Sequence, residues 1–434
     1  METVKDIVEK IIDRSSEKVI DLVKDIEMYP ELGFQEHRTS QIIANYLSEC
    51  SYDVEEGLAI TGLKTLLKGE KNKYTIAFIG ELDGVVCKES IKASPVNGAT
   101  HTCGHNLQFG ILMLVAKALK ESGITEKLDG NISFIAVPAE EYIQFEYRRQ
   151  LQKEEKIKYL SGKQEFIRLG IFDDIDAAIL LHAEPNSEEP SIHIYDTGNG
   201  FKFKEVICKG KTAHAANAPH EGINALHALI QGINNINALR DTFVDESHSR
   251  IHYIITKGGE NVNSVPSETR LQGYVRSSSI ENINKLSGRF DNAFHCAGEN
   301  FNAKMSVHTS AGYMPLICNK ALNEVFENNA KRFLPENSIY RKGHFMASTD
   351  LGDLSHIMPV IQPMMGGIKG GLHSLDFEVV DYDAAIVIPA KIVANTLIDL
   401  LSNNRMESIL KEYKPKLTKD EYLSLMDKDY LSSE

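Results

Sequence analysis

The sequence predicts an α/β fold in which one layered domain is interrupted by a smaller α+β domain. Three observations carry this expectation. Short, largely apolar runs at residues 74–79, 132–138 and 177–181 have the length and composition of strands buried on both faces. Segments with helical periodicity separate them, so strand, loop and helix alternate as in an α/β sandwich. From about residue 193 to 308 the texture changes to strand, helix, strand, strand, and beyond that stretch the α/β alternation returns.

Taken in order, Val4, Val8, Ile11, Ile12, Val19 and Leu22 recur at helical spacing until Tyr29-Pro30-Glu-Leu-Gly33 breaks the pattern. A second helix follows around residues 40–49. The strand at 74–79 runs into Gly80-Glu81-Leu82-Asp83-Gly84, and residues 107–121, rich in Leu, Ala and Lys, read as a helix. The strand at 132–138 ends at Glu140-Glu141, and the strand at 177–181 ends at His182. Within the insert, strands are expected at 202–209, 250–256 and 270–277, with a long helix over 222–239. A strand at 358–362 and a last helix at 383–401 complete the resumed domain. The expected organisation is therefore 1–192 and 309–404 for the main domain, 193–308 for the insert, and a tail at 405–434. In that charged tail Leu410, Tyr413, Leu417, Tyr422 and Leu425 hold a loose helical register, the pattern of a solvated helix or a disordered end.

At 434 residues the chain exceeds what a single core usually supports, which agrees with two domains. Sixty-one acidic against 47 basic residues give a formal charge of -14, so no basic field exists to hold a nucleic acid backbone. A small-molecule substrate suits this charge better. The six cysteines, at 50, 87, 103, 208, 296 and 318, form no CxxC pair and no dense disulfide framework. The first residues are charged and helical in pattern, with no apolar signal core, and no stretch approaches the ~18 apolar residues a membrane span needs. A cytoplasmic protein without membrane attachment is expected.

The chemistry concentrates at the strand ends. Cys103-Gly-His105 can present a thiolate and an imidazole to a borderline metal such as zinc, with Gly104 permitting the tight turn. Glu140-Glu141 can divide labour, one carboxylate binding metal while its neighbour takes a proton from water. His182 and His373 add two imidazoles, the latter approached through a glycine-rich run. Each piece has a plainer reading: a buried thiol beside a histidine, a solvated Glu-Glu helix start, or a structural histidine. A Cys103 nucleophile assisted by His105 is a further alternative, although two residues on one loop converge more readily on a shared ion.

Read together, Glu81-Leu-Asp83-Gly, His101-Thr-Cys-Gly-His-Asn106, Pro138-Ala-Glu-Glu141, Leu181-His182, Gly210-Lys-Thr-Ala-His214-Ala-Ala, Asn263-Ser-Val-Pro266, Ser348-Thr-Asp350 and Leu372-His373 resemble the M20 metallopeptidase and amidohydrolase family. The likeness is to its amidohydrolase branch of N-acyl-amino-acid and aminobenzoyl-glutamate hydrolases, and it spans about residues 5–402. The resemblance implies an α/β/α catalytic domain holding two divalent ions, zinc or manganese, interrupted by a ferredoxin-like lid that dimerises. It also implies roles. Cys103 would lie between the ions, with His105, Glu141, His182 and His373 completing the ligands and Asp83 orienting one of them. Glu140 would be general base and acid. His214 would reach the oxyanion, often from a partner subunit, and Asn263 and Arg276 would recognise the substrate carboxylate.

Two features depart from that pattern. Asn106 stands where the branch more often has Asp, which removes a charge close to the ligands. Residues 142–160 form an insertion where relatives usually carry a short glycine-rich turn. Its charged composition reads as a solvated helix, or else Phe145, Tyr147, Arg148 or Arg149 narrows the pocket. The resulting expectation is a homodimeric hydrolase of an amide between an acyl, aminobenzoyl or aminoacyl group and a terminal amino acid. A dipeptidase of the same fold and a non-catalytic ligand-binding member are the alternatives.

Overall fold

The computed structural model describes residues 3–402 and 404–431. The chain divides into two compact units: Met1–Asp196 with Ile317–Gly343 and Asp353–Lys416, and Thr197–Leu316 with His344–Gly352 and Leu417–Glu434.

The first unit is built on a mixed six-stranded sheet in the order Val54–Leu58, Gly62–Leu67, Asn131–Val137, Thr75–Glu81, Ala177–Leu180, Val360–Ile361. The last four run parallel, and the first two form an antiparallel hairpin added to one edge. Every residue of Thr75–Glu81 and Asn131–Val137 is buried, which explains why both are largely apolar. The added hairpin was not legible from sequence, because its outer strand is exposed and acidic. The helix His105–Glu121 is buried on all sides except at Lys117, Lys120 and Glu121, and it contacts the helices Val4–Met28 and Ile388–Leu400. An all-round apolar helix of this kind belongs inside a core. The last of these helices begins as a wider π turn over Asp383–Val387.

The second unit follows the order Gly200–Lys209, helix Ala225–Leu239, Arg250–Lys257, Glu268–Ser277, helix Ile280–Asn300, Lys304–Ala311. Its antiparallel sheet has Arg250–Lys257 and Lys304–Ala311 at the edges and Glu268–Ser277 beside Gly200–Lys209 at the centre. This is the split β-α-β-β-α-β arrangement. Val206, Leu229, Ile236, Leu271, Val275, Phe290 and Phe294 form its core.

The tail differs from the solvated or disordered end its charge suggests. Arg405–Glu412 buries Met406 and Ile409 within the first unit, and Lys419–Leu431 buries Tyr422 and Met426 beside Lys304–Ala311 of the second. Its few apolar residues suffice because they fall on one face of each helix. Among the described residues no single helix is long and apolar enough to cross a membrane.

Candidate metal centre

Parallel strands deliver their following loops to one edge of a sheet, the usual place for chemistry in α/β proteins. Here Thr75–Glu81 leads to Asp83, Asn131–Val137 to Glu140 and Glu141, and Ala177–Leu180 to His182. Gly104 stands immediately before the helix His105–Glu121 at φ +79, and an added Cβ would lie 2.8 Å from that of Ala183. Only glycine fits that left-handed, crowded position, and the turn it makes aims Cys103 and His105 at the same space. His373, itself at φ 57, is tied down by its amide donating to the carbonyl of Thr102 at 2.9 Å. A non-glycine residue held there is strain of the sort that collects at functional sites.

Three groups of ligand atoms result, each drawn together within 4.8 Å: Cys103, His105 and His182; Cys103, Glu141 and His373; and Glu81, His105 and Glu140. Cys103 Sγ lies 3.4 Å from His182 Nε2 and 3.2 Å from His373 Nε2, and His373 Nε2 lies 3.0 Å from Glu141 Oε1. Cys103, His105, Glu140, Glu141 and His182 are buried, whereas the His373 side chain is half exposed. Cys103 thus belongs to two triads, and Glu140 to neither of them.

The donor set fits divalent cations. His105 Nδ1 sits 2.8 Å from the Asp83 carbonyl, which fixes the proton there, and leaves Nε2 buried without a hydrogen-bond partner among the described residues. His182 likewise turns Nδ1 to the Ala183 carbonyl at 3.0 Å and Nε2 to the thiol. Burial and Glu141 push the Cys103 thiol up, but His105, His373 and His182 outweigh them and bring it down to about 6. The Glu141 carboxylate lifts His373 to about 12, and His373 in turn overcomes burial to hold Glu141 near about 2. Burial opposes a charged His105, yet the Cys103 thiolate and Glu81 raise it well above the ordinary value. Thiolate and carboxylates thus draw protons onto the imidazoles, which marks a locus that attracts positive charge.

Asp83 enters none of the triads. Its fully buried carboxylate accepts from the amides of Glu140 (3.1 Å) and Glu141 (2.9 Å), so it fixes the turn that carries both glutamates. Glu81, a motif residue to which spacing assigns no role, takes a prominent place in the structure. It is buried, bonded to Lys163 Nζ at 2.5 Å and to Gln108 Nε2 at 2.8 Å, and lies 3.3 Å from His105 Nε2. Burial acts against its charge, but Lys163 and the histidines hold it near about 2. Asn106 is buried with neither amide atom hydrogen-bonded among the described residues.

His214, Asn263 and Arg276 lie in the second unit. His214 pairs with Ser264 in an isolated bridge, and the amide of Ala215 donates to the Asn263 carbonyl at 3.0 Å, so the two loops adjoin. Its Nδ1 accepts from the amides of Ala216 and Asn217, which leaves Nε2 as the nitrogen bearing the proton. Arg276 stands elsewhere in that unit, on Glu268–Ser277, with its guanidinium 5.2 Å from the ring of Tyr274 and 5.5 Å from that of Phe201.

The insertion is not a solvated helix. Phe145–Lys153 buries Leu151 and, completely, Arg148. Arg148 is therefore closed off from solvent. Tyr147 donates to the Phe34 carbonyl at 3.4 Å, and Phe145 meets the ring of Tyr142 edge-on.

Comparison with known proteins adds a family. Residues 77–399 match the profile of Peptidase family M20/M25/M40. An Xaa-Arg dipeptidase of Mus musculus is 26% identical over 95% of this chain and 93% of its own length. One component of the p-aminobenzoyl-glutamate hydrolase of Escherichia coli is 25% identical over 67% of this chain and 57% of its own. A putative aminohydrolase from methicillin-resistant Staphylococcus aureus superposes with a TM-score of 0.73 at 18% identity, covering 90% of this chain and 99% of that one. A Bacillus subtilis dinuclear metal binding peptidase from the M20 family gives 0.67 at 18% identity with the same coverage.

Proposed function

Because the chain belongs to peptidase family M20/M25/M40, we propose that it is a two-metal hydrolase that cleaves an amide joining an acyl, aminobenzoyl or aminoacyl group to a terminal amino acid. The observation that carries this reading is the sharing of Cys103 between two ligand triads, with Glu140 outside those two and grouped instead with Glu81 and His105. His105 and His182 complete one side of the thiolate and Glu141 and His373 the other. Thiolate, imidazole and carboxylate together suit zinc or manganese. When bound, such ions lower the pKa of a water and polarise the amide carbonyl.

The protein's own part is positional and protolytic. Glu140, held by the Asp83 carboxylate on its amide, accepts the proton of the attacking water and returns it to the departing amine. Asp83 fixes the tautomer of His105 through its carbonyl and the glutamate turn through its carboxylate. His214 Nε2–H is a donor for the oxyanion, and Asn263 and Arg276 are the residues proposed for the substrate carboxylate. A homodimer is the proposed assembly.

A dipeptidase is the second reading, favoured by one observation. The match to the Xaa-Arg dipeptidase spans nearly both full chains, whereas that to the aminobenzoyl-glutamate hydrolase component stops at two thirds of this one. A purely ligand-binding member would have no use for Glu140 beside a complete ligand set. The test is hydrolysis of N-acetyl, aromatic N-acyl and free-amine dipeptide substrates by metal-stripped protein resupplied with manganese or zinc. Activity is expected to return with metal and to vanish in Glu140→Gln. A two-metal protein that cleaves nothing, or a fully active Glu140→Gln, would refute the proposal.

A further inference from the structure

The turn Ala139-Glu140-Glu141 has acidic or basic side chains on five of its six main-chain polar groups. Glu36 Oε1 takes the amide of Ala139 at 2.8 Å, and Asp83 takes those of Glu140 and Glu141. Two of the carbonyls, those of Ala139 and Glu141, accept from the amides of Gly162 (3.4 Å) and Ile143 (2.9 Å) and, from the other side, from a single side chain. Arg148 donates from Nη1 to the carbonyls of Ala139 (3.5 Å) and Leu160 (2.5 Å), and from Nη2 to that of Glu141.

Arg148 is fully buried, its guanidinium lies 5.5 Å from the Phe34 ring, and no carboxylate pairs with it among the described residues. A buried cation whose charge is met only by carbonyl dipoles and a ring face is costly to keep. It persists here where the backbone most needs support, since Ala139 is held at φ 54. The planar fork suits the task, because one rigid group reaches both sides of Glu140 and the far end of the inserted segment at once. Gly33 completes the cage: an added Cβ would come within 2.6 Å of Arg148 Nη2 and 2.9 Å of Ala139 Cα.

We infer that the insertion at residues 142–160 supplies Arg148 as a positioning residue, which clamps the Glu140-Glu141 turn from behind and so aligns the proposed base and metal ligand. The inference rests on the hydrolase reading for its kinetic consequence but not for its effect on metal. Misplacing a reacting group by about 1 Å can cost on the order of a hundredfold in rate.

The experiment compares full-length wild-type protein with Arg148→Lys, Arg148→Ala and Gly33→Ala, with Glu146→Ala on the exposed side of the same helix as control. Measured are kcat and KM on the best substrate of the panel, manganese affinity by chelator competition, and thermal midpoint. The variants are expected to lose about a hundredfold in kcat with KM changed little, and to bind manganese about tenfold more weakly through Glu141. Added guanidinium is expected to restore part of kcat in Arg148→Ala but not in Gly33→Ala, where the cage is filled rather than emptied. Folded Arg148→Lys and Gly33→Ala proteins with wild-type kcat and metal affinity would overturn the inference. So would losses that follow only the folded fraction and resist guanidinium. Should Arg148→Ala fail to fold, Gly33→Ala decides. If wild-type protein hydrolyses nothing, the hydrolase reading falls, and the metal affinities still decide the role of Arg148.

Discussion

Replacing Glu36 with glutamine should reverse part of the protein's sensitivity to alkaline pH. Glu36 is completely buried; its Oε2 lies 2.6 Å from Thr61 Oγ1 and its Oε1 accepts from the Ala139 amide. Burial, reinforced by the negative charge of Asp83, lifts its carboxyl from an ordinary 4.5 to about 8. The folded protein therefore binds a proton that the unfolded chain has lost between those values. Stability from this group is complete below about 4.5 and disappears as pH rises through about 8. The full difference corresponds to roughly 5 kcal/mol, of which half would be ample to detect. Glutamine mimics the protonated acid: its amide nitrogen can donate to Thr61 while its oxygen keeps the Ala139 amide. Urea unfolding of metal-free protein at pH 5 and pH 8.5 should show Glu36→Gln gaining on wild type by about 2 kcal/mol or more between the two conditions. Parallel pH dependences for the two proteins would refute the argument that Glu36 is held protonated.

Two further outcomes are expected. Since Glu141 keeps a proton on His373, and His105 is likewise raised, binding of a divalent ion should release protons and weaken steeply as pH falls below about 6, where the Cys103 thiolate is also lost; calorimetry in buffers of differing ionisation enthalpy checks this, and pH-independent affinity would contradict it. Replacing Lys163 with methionine strands the Glu81 carboxylate in a fully buried site, which should cost about 3–5 kcal/mol of stability; Glu81→Gln added to Lys163→Met should recover much of it, as judged by chemical unfolding.

Most of the main sheet was legible because its parallel strands are buried on both faces and read as plain apolar runs. Thr75–Glu81, Asn131–Val137 and Ala177–Leu180 fall within two residues of their expected limits. The helix Ile280–Asn300 and strand Lys304–Ala311 were not, since each shows solvent one face and dilutes its apolar residues with Asn, Ser, His and Gly. At the site, Glu140, Glu141 and His182 were legible as candidates because they sit just past strand ends. Glu81 was not, because its significance lies in Lys163, 82 residues away, and in the His105 it approaches only after folding. Arg148 stands next to Arg149 in a run of charges, and local spacing treats them alike. The one available signal was Leu151, which shares a helix face with Arg148 three positions earlier.

The path of the chain through the two units carries a consequence for how the protein is made. Each unit is assembled from three separate stretches, and the second takes Tyr422 and Met426 into its interior from the last helix. A ribosome delivering residues in order therefore cannot complete the first unit until the second has largely emerged, nor finish the second until the helix Lys419–Leu431 has followed. Long excursions must close before their contacts reward the closure. The nascent chain must wait with apolar surfaces of both units uncovered, the state in which aggregation competes with folding. A chain terminated early, at residue 404 for example, would lack the helices Arg405–Glu412 and Lys419–Leu431 and leave two partly built interiors behind.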